Sequence, residues 1–149
     1  MRGIVVLMTL LTLASSVEAA PVRCYQGGEI EADQAIQYQS ELMVISETCR
    51  TKDYVAFVVR NQKPIIDYQH AMMDHFKRVG ERSGQVALDR YMTKLANEKS
   101  LQYTERAGDG MCAKAADFLT AGGKLDGATF RQLIAARAAD RRETYQRCK

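Results

Sequence analysis

The chain has 149 residues, 46% hydrophobic and 26% charged, and 21 lysines and arginines against 18 aspartates and glutamates leave a formal charge of +3. So small an excess, scattered among acids, gives no basis for nucleic-acid binding. A chain of this length makes one domain that buries roughly two-thirds of the surface its unfolded form exposes, so a core can form without a metal.

The first element in chain order is a leader. Arg2 precedes an apolar run from Ile4 to Leu13, and Val17, Glu18 and Ala19 end in a small-residue cleavage site, the layout of a secretory signal peptide over residues 1–19. The run is shorter than the about 20 apolar residues a membrane span needs, and no later segment reaches that length. No cysteine follows the cleavage site to take a lipid anchor. Residues 20–149 are therefore expected as a single helical domain, periplasmic or secreted.

Five helices are predicted for that domain, because its two prolines and 3.6-residue periodicity leave no strand pattern. The first begins near Glu29, and Ala35, Tyr38, Leu42, Ile45 and Cys49 form one apolar seam that turns Cys49 toward the core. Asp53 is a candidate N-cap for the second, whose stripe runs through Tyr54, Val58, Asn61, Ile65, Tyr68, Met72 and Phe76 to Val79. Pro64 interrupts it, but the stripe keeps its phase, so one kinked helix ending at Gly80 is expected. Ser83-Gly84 opens the third, with Leu88, Tyr91, Met92, Leu95 and Tyr103 on one face and a stop at Ala107. Met111 to Ala121 is a short fourth, closed by Gly122-Gly123. Asp126 caps a fifth that carries Phe130, Leu133, Ile134, Ala138, Tyr145 and Cys148 on one side.

The fold class is thus all-α, an antiparallel bundle of about five helices stapled by two disulfides. Four cysteines in an exported chain imply two bridges, and the absence of CxxC and CxxCH argues against a thiol oxidoreductase motif or covalent haem. Alternating helix directions bring the end of the first helix near the start of the fourth, which favours Cys49 with Cys112. In the chain-entropy model such a bridge, closing a loop of about 60 residues, stabilises by on the order of 4 kcal/mol. Cys24 with Cys148 would then join the ends, although strict alternation puts the last helix's C-terminus at the wrong end for Cys24. All three pairings stay open at this point.

The strings ELMVISETCR (41–50), DYVAFVVR (53–60), YMTKLANEKS (91–100) and MCAKA around Cys112 resemble a family of small exported helical proteins from alphaproteobacteria. The resemblance implies a Gram-negative periplasmic address and supports the Cys49–Cys112 pair. It implies no activity, and Cys24 and Cys148 lie outside its strings.

Chemistry is sparse. The segment YQHAMMDHF (68–76) holds both histidines, and soft Met and His ligands suit copper or haem iron. On a helix, however, His70 and His75 point about 140° apart, so one ion cannot take both. Met72 and Met73 read as core packing. Asp67, His70 and Asp74 share a face at spacings of three and four, which is either a weak divalent-ion site or a solvated polar face. No GxSxG, HExxH, Walker or dinucleotide-glycine pattern occurs.

One pattern remains. Lys99 and Arg106 fall in the sector of Leu88 and Leu95, and Arg137 and Arg141 in that of Phe130 and Ile134. Charges on an inward stripe line a cationic pocket for an anionic ligand, or else reach water over apolar stems and pair with acids of neighbouring helices. The reading that results is a non-enzymatic binding protein without cofactor, its partner an envelope protein or a small anionic ligand. The alternatives are a metal or haem protein using His70 or His75 with a methionine such as Met92 or Met111, and a small hydrolase with a carboxylate pair.

Overall fold

A computed structural model describes residues 24–105 and 110–149, and among these the chain is all helical apart from one isolated bridge. Seven α-helices follow in order: α1 (Gly27–Thr48), α2 (Asp53–Arg60), α3 (Gln62–Arg78), α4 (Gly84–Thr104), α5 (Met111–Lys114), α6 (Ala116–Lys124) and α7 (Gly127–Arg141), with a 3-10 turn (Arg142–Thr144) after them. None of them is long and apolar enough to cross a membrane.

The central helix is α1, and the predicted seam is real: Ala35, Tyr38, Leu42 and Ile45 are buried, and Cys49 is its C-cap. Its other faces are covered as well, burying Asp33, Gln34, Gln39, Ser40 and Ser46. A helix enclosed on several sides must satisfy its polar side chains internally. Gln39 accordingly donates to the Tyr54 hydroxyl at 3.2 Å, and Ser46 Oγ lies 3.0 Å from Thr51 Oγ1.

The stretch expected as one kinked helix is divided at Asn61, three residues ahead of Pro64. Pro64 thereby falls in the first turn of α3, where its missing N–H has no intrahelical partner to lose. Asn61 is fully buried, and its Nδ2 bonds the carbonyls of Phe57 at 2.8 Å and Leu125 at 2.9 Å. The break lets α2 lie on α6 while α3 lies on α1 and α4. Asp53 is the first residue of α2 rather than its cap; Ser46 Oγ accepts from the Tyr54 N–H instead, at 3.3 Å.

The fourth predicted helix is likewise two, α5 and α6, and Gly122 and Gly123 lie inside α6 rather than after it. A Cβ on Gly122 would sit 2.7 Å from the Leu42 side chain, so these glycines let α6 approach α1 and α2 closely. Nine residues of α6 span only about 14 Å, too short to cross the bundle beside the 22 residues of α1. The segment therefore stays at the C-terminal end of α1, and α7 runs back along α1. That is how Cys148 comes to the same end as Cys24 without strict alternation.

The C-terminal part of the fifth helix departs from expectation too. The helix ends at Arg141, and Tyr145 and Cys148 lie in an extended strap that pairs with Tyr25, through Tyr25 N–H to the Gln146 carbonyl at 2.8 Å and Cys148 N–H to the Tyr25 carbonyl at 3.1 Å. Both favoured disulfides are present, Cys24–Cys148 and Cys49–Cys112, with Cα separations of 4.9 and 5.6 Å. Two disulfides fit an oxidising compartment outside the cytoplasm.

Caps follow the sequence elsewhere. Asp126 accepts from the Ala128 and Thr129 amides at 3.1 and 2.9 Å, Ser83 accepts from Val86, and Gly80 ends α3 with φ of 100°. Gly84, the first residue of α4, lies so close to α3 that an added Cβ would meet the Met73 carbonyl oxygen at 2.3 Å. Because that atom is backbone and cannot swing aside, Gly84→Ala is expected to destabilise by about 1–3 kcal/mol in urea titrations. An unchanged midpoint would contradict the close approach.

The aromatic core lies where α1, α2, α3 and α7 meet. Phe57 and Phe130 are wholly buried and cross edge-to-face at 4.9 Å, with Tyr38 and Tyr68 against Phe130 at 6.0 and 5.8 Å. Such pairs contribute about 0.5–1.5 kcal/mol beyond burial. Met72 is wholly buried in the same core and Met73 packs against it, as their spacing predicts.

Candidate functional site

The C-terminal end of α1 borders a cavity of about 530 Å³, lined by Ile45, Met111, Ala115 and Phe118 with Glu41, Tyr103 and Lys114. Its volume is that of a small-molecule site. The polar edge is organised around Glu41. The Tyr103 hydroxyl donates to Glu41 Oε1 at 2.7 Å, Lys99 Nζ lies 3.6 Å from the same oxygen, and Arg137 Nη2 lies 3.8 Å from Oε2.

Two residues singled out for a cationic pocket, Lys99 of α4 and Arg137 of α7, are thus brought together on one carboxylate. Arg137 also stacks over the Tyr38 ring at 5.4 Å, and its Nε is buried with no hydrogen-bond partner. Burial pushes the Tyr38 hydroxyl up to about 12, with Arg137 pulling it down and Glu41 pushing it up. Tyr38 is therefore a neutral ring under Arg137 rather than an acid. Arg141 does not join: it is exposed, with Asp140 at 3.9 Å. Arg106 lies outside the described residues.

The opposite end is a buried polar network. Asp33 is 1% exposed; its carboxylate accepts from the Tyr91 and Tyr145 hydroxyls and from Gln37 Nε2 at 2.7 Å, while Gln34 Nε2 donates to the Tyr145 oxygen at 2.6 Å. Burial, and then the Asp33 charge and hydrogen bond, push both phenols far above their ordinary range. They are fixed donors that tie the strap to α1 and α4, and they do not cycle protons near neutral pH.

Beside them, His75 is 2% exposed, with Nδ1 3.0 Å from Glu29 Oε2 and its ring stacked on Tyr25 at 4.4 Å. Arg78 donates from Nε to Glu29 Oε1 at 2.8 Å and from Nη2 to Glu29 Oε2. The second histidine of YQHAMMDHF is therefore the enclosed one, whereas His70 is exposed. The Asp67, His70 and Asp74 trio is not drawn together: Asp67 turns to Arg131 at 2.5 Å and Lys63 at 3.2 Å, and Asp74 faces Lys77 at 3.9 Å. Among the described residues no three His, Cys, Asp or Glu side chains are grouped as a metal site requires.

Sequence reasoning missed Glu41, Asp33, Glu29 and Tyr25. Glu41 carried a signal, since it lies three residues from Tyr38 and four from Ile45 on the apolar seam, the same anomaly that marks Lys99 and Arg137. Asp33 carried none, because its tyrosine partners are 58 and 112 residues away in the chain. Compared with protein-family models, curated proteins and solved structures, the chain matches none of them.

Proposed function

We propose that the chain is an exported, non-enzymatic binding protein whose cavity at the C-terminal end of α1 takes a small amphipathic anion. The observation that carries this reading is the charge around Glu41. Lys99 and Arg137 both pair with Glu41 at the cavity edge, at 3.6 and 3.8 Å, longer than hydrogen bonds, and Lys114 lines the cavity itself, so three cations lie around one carboxylate. An anion entering over Ile45, Met111 and Phe118 meets that excess, while its apolar body covers the cavity floor. Two disulfides, the leader-like start and the resemblance to small exported helical proteins support a periplasmic address.

Thermal shifts with straight-chain carboxylates test it. Each buried methylene contributes about 0.8 kcal/mol, so affinity should rise on the order of tenfold for every two carbons from butyrate to octanoate. Octylamine and octanol should bind more weakly, and Lys99→Ala with Arg137→Ala should abolish the preference for the acid. Equal shifts from octanoate and octylamine would refute the reading.

A further inference from the structure

A separate cationic cleft of about 750 Å³ opens beside the strap, lined by Arg142, Arg147 and Lys149 together with Cys148; none of its described lining side chains is acidic, and the α-carboxylate of Lys149 offsets part of that charge. Cys148 presents one half of the Cys24–Cys148 bridge to this cleft. Arg78 stands at the bridge, with Nη1 3.6 Å from Cys148 Sγ and 3.9 Å from Cys24 Sγ. The guanidinium is held there by Glu29 and by the Cys24 carbonyl at 2.8 Å, so it stays by the sulfurs even though Glu29 offsets part of its charge. Among the described residues no cation donates to the sulfurs of Cys49–Cys112.

We propose that Cys148 is a site of reversible thiolation, at which a small anionic thiol docks in this cleft and exchanges with the Cys24–Cys148 disulfide. The incoming thiolate attacks Cys148 Sγ and forms the new sulfur–sulfur bond. The Cys24–Cys148 bond breaks, and its electron pair leaves on Cys24 as a thiolate. One disulfide and one thiolate become one disulfide and one thiolate, so no outside oxidant or reductant enters.

Arg78 lies 3.6 Å from one sulfur and 3.9 Å from the other and stabilises a departing thiolate, which speeds exchange; the exposure of Cys148 to the cleft, not this cation, selects the sulfur that is attacked. The basic cleft concentrates an anionic partner. Opening the bridge leaves the strap in place, because its two backbone bonds to Tyr25 and the Tyr145 bond to Asp33 remain. Cys24 therefore stays close enough to attack Cys148 in turn, expel the small thiol and restore the bridge.

The test uses the disulfide-bonded protein with glutathione and mercaptosuccinate, whose carboxylates add negative charge to the thiolate, 2-mercaptoethanol, which adds none, and cysteamine, whose ammonium cancels it, at matched thiolate concentration. Peptide mapping after alkylation is expected to place the adduct on Cys148 and the free thiol on Cys24. Anionic thiols should react at least about tenfold faster than cysteamine at low salt, the gap closing in 1 M salt. Arg147→Gln with Lys149→Gln should narrow the spread of rates between mercaptosuccinate and cysteamine, slowing mercaptosuccinate most and cysteamine least, and Arg78→Gln should slow every thiol. An adduct on Cys24, opening of Cys49–Cys112 first, or rates blind to thiol charge would overturn the proposal.

Discussion

Asp33→Ala is expected to lower the unfolding free energy by about 3–5 kcal/mol. The carboxylate is wholly enclosed and joins three segments, accepting from Tyr91 of α4, Tyr145 of the strap and Gln37 of its own helix. Truncation leaves two buried phenol donors without an acceptor, each worth about 1–3 kcal/mol, and opens a void between them. A domain of this kind has roughly 5–15 kcal/mol in total, so the variant should sit near the edge of folding. Tyr91→Phe and Tyr145→Phe remove a donor and strand less, and about 1–2 kcal/mol each is expected. Urea titrations should show a lower midpoint with an unchanged slope. A loss below about 1 kcal/mol for Asp33→Ala would mean that the network is not what fixes the strap.

Acidification should remove a second, smaller share. Burial alone would raise the Glu29 carboxyl, but the Arg78 hydrogen bonds, the Gln26 amide and His75 outweigh it and bring it from 4.5 down to about 2. A carboxyl depressed in the folded state contributes fully above its unfolded value and loses that contribution as pH falls through the folded one. The window is therefore pH 4.5 down to about 2. With the side chain only 13% exposed, the contribution is about 2–3 kcal/mol after allowing for solvent screening. Asp67 and Asp126 are also lowered, by Arg131 and by the Thr129 amide, but both are surface groups of small weight. Glu29→Gln should accordingly flatten stability across that window. A variant that follows the parent's acid profile would exclude Glu29 as its source.

These two effects rest on contacts that periodicity does not encode. Apolar spacing located the helices, the α1 seam and the buried Met72, because each of those depends on neighbours within a few turns; the disulfide pairs, 63 and 124 residues apart, were favoured by helix direction and chain ends and were left open by spacing. The partition at Asn61 was less visible, since the stripe from Tyr54 to Val79 keeps its phase across the break. What decides it is a long-range bond from Asn61 to the Leu125 carbonyl. Gly122 and Gly123 read as a helix stop in one dimension and are a close-packing surface in three.

The site was half readable. Charges on an inward stripe drew attention to Lys99 and Arg137, and the fold gives both to Glu41. The histidine segment misdirected attention to His70, which is exposed, whereas the residue with chemistry around it is His75, placed by Glu29 and Tyr25 from the N-terminal end of α1. The spacing of YQHAMMDHF does separate them, since His75 lies three and seven residues from the buried Met72 and Tyr68 and His70 two from each, but the partners of His75, Glu29 and Tyr25, are far away in the chain.

The reading of the Glu41 cavity as an anion site is tested most directly by methyl NMR during titration with octanoate. Binding there predicts saturable shifts at Ile45 δ and Met111 ε methyls, none at the remote Ile66 and Val86 methyls, and loss of the effect in the Lys99→Ala, Arg137→Ala double variant. Shifts spread over exposed methyls without saturation, or an unaltered response in the double variant, would contradict it.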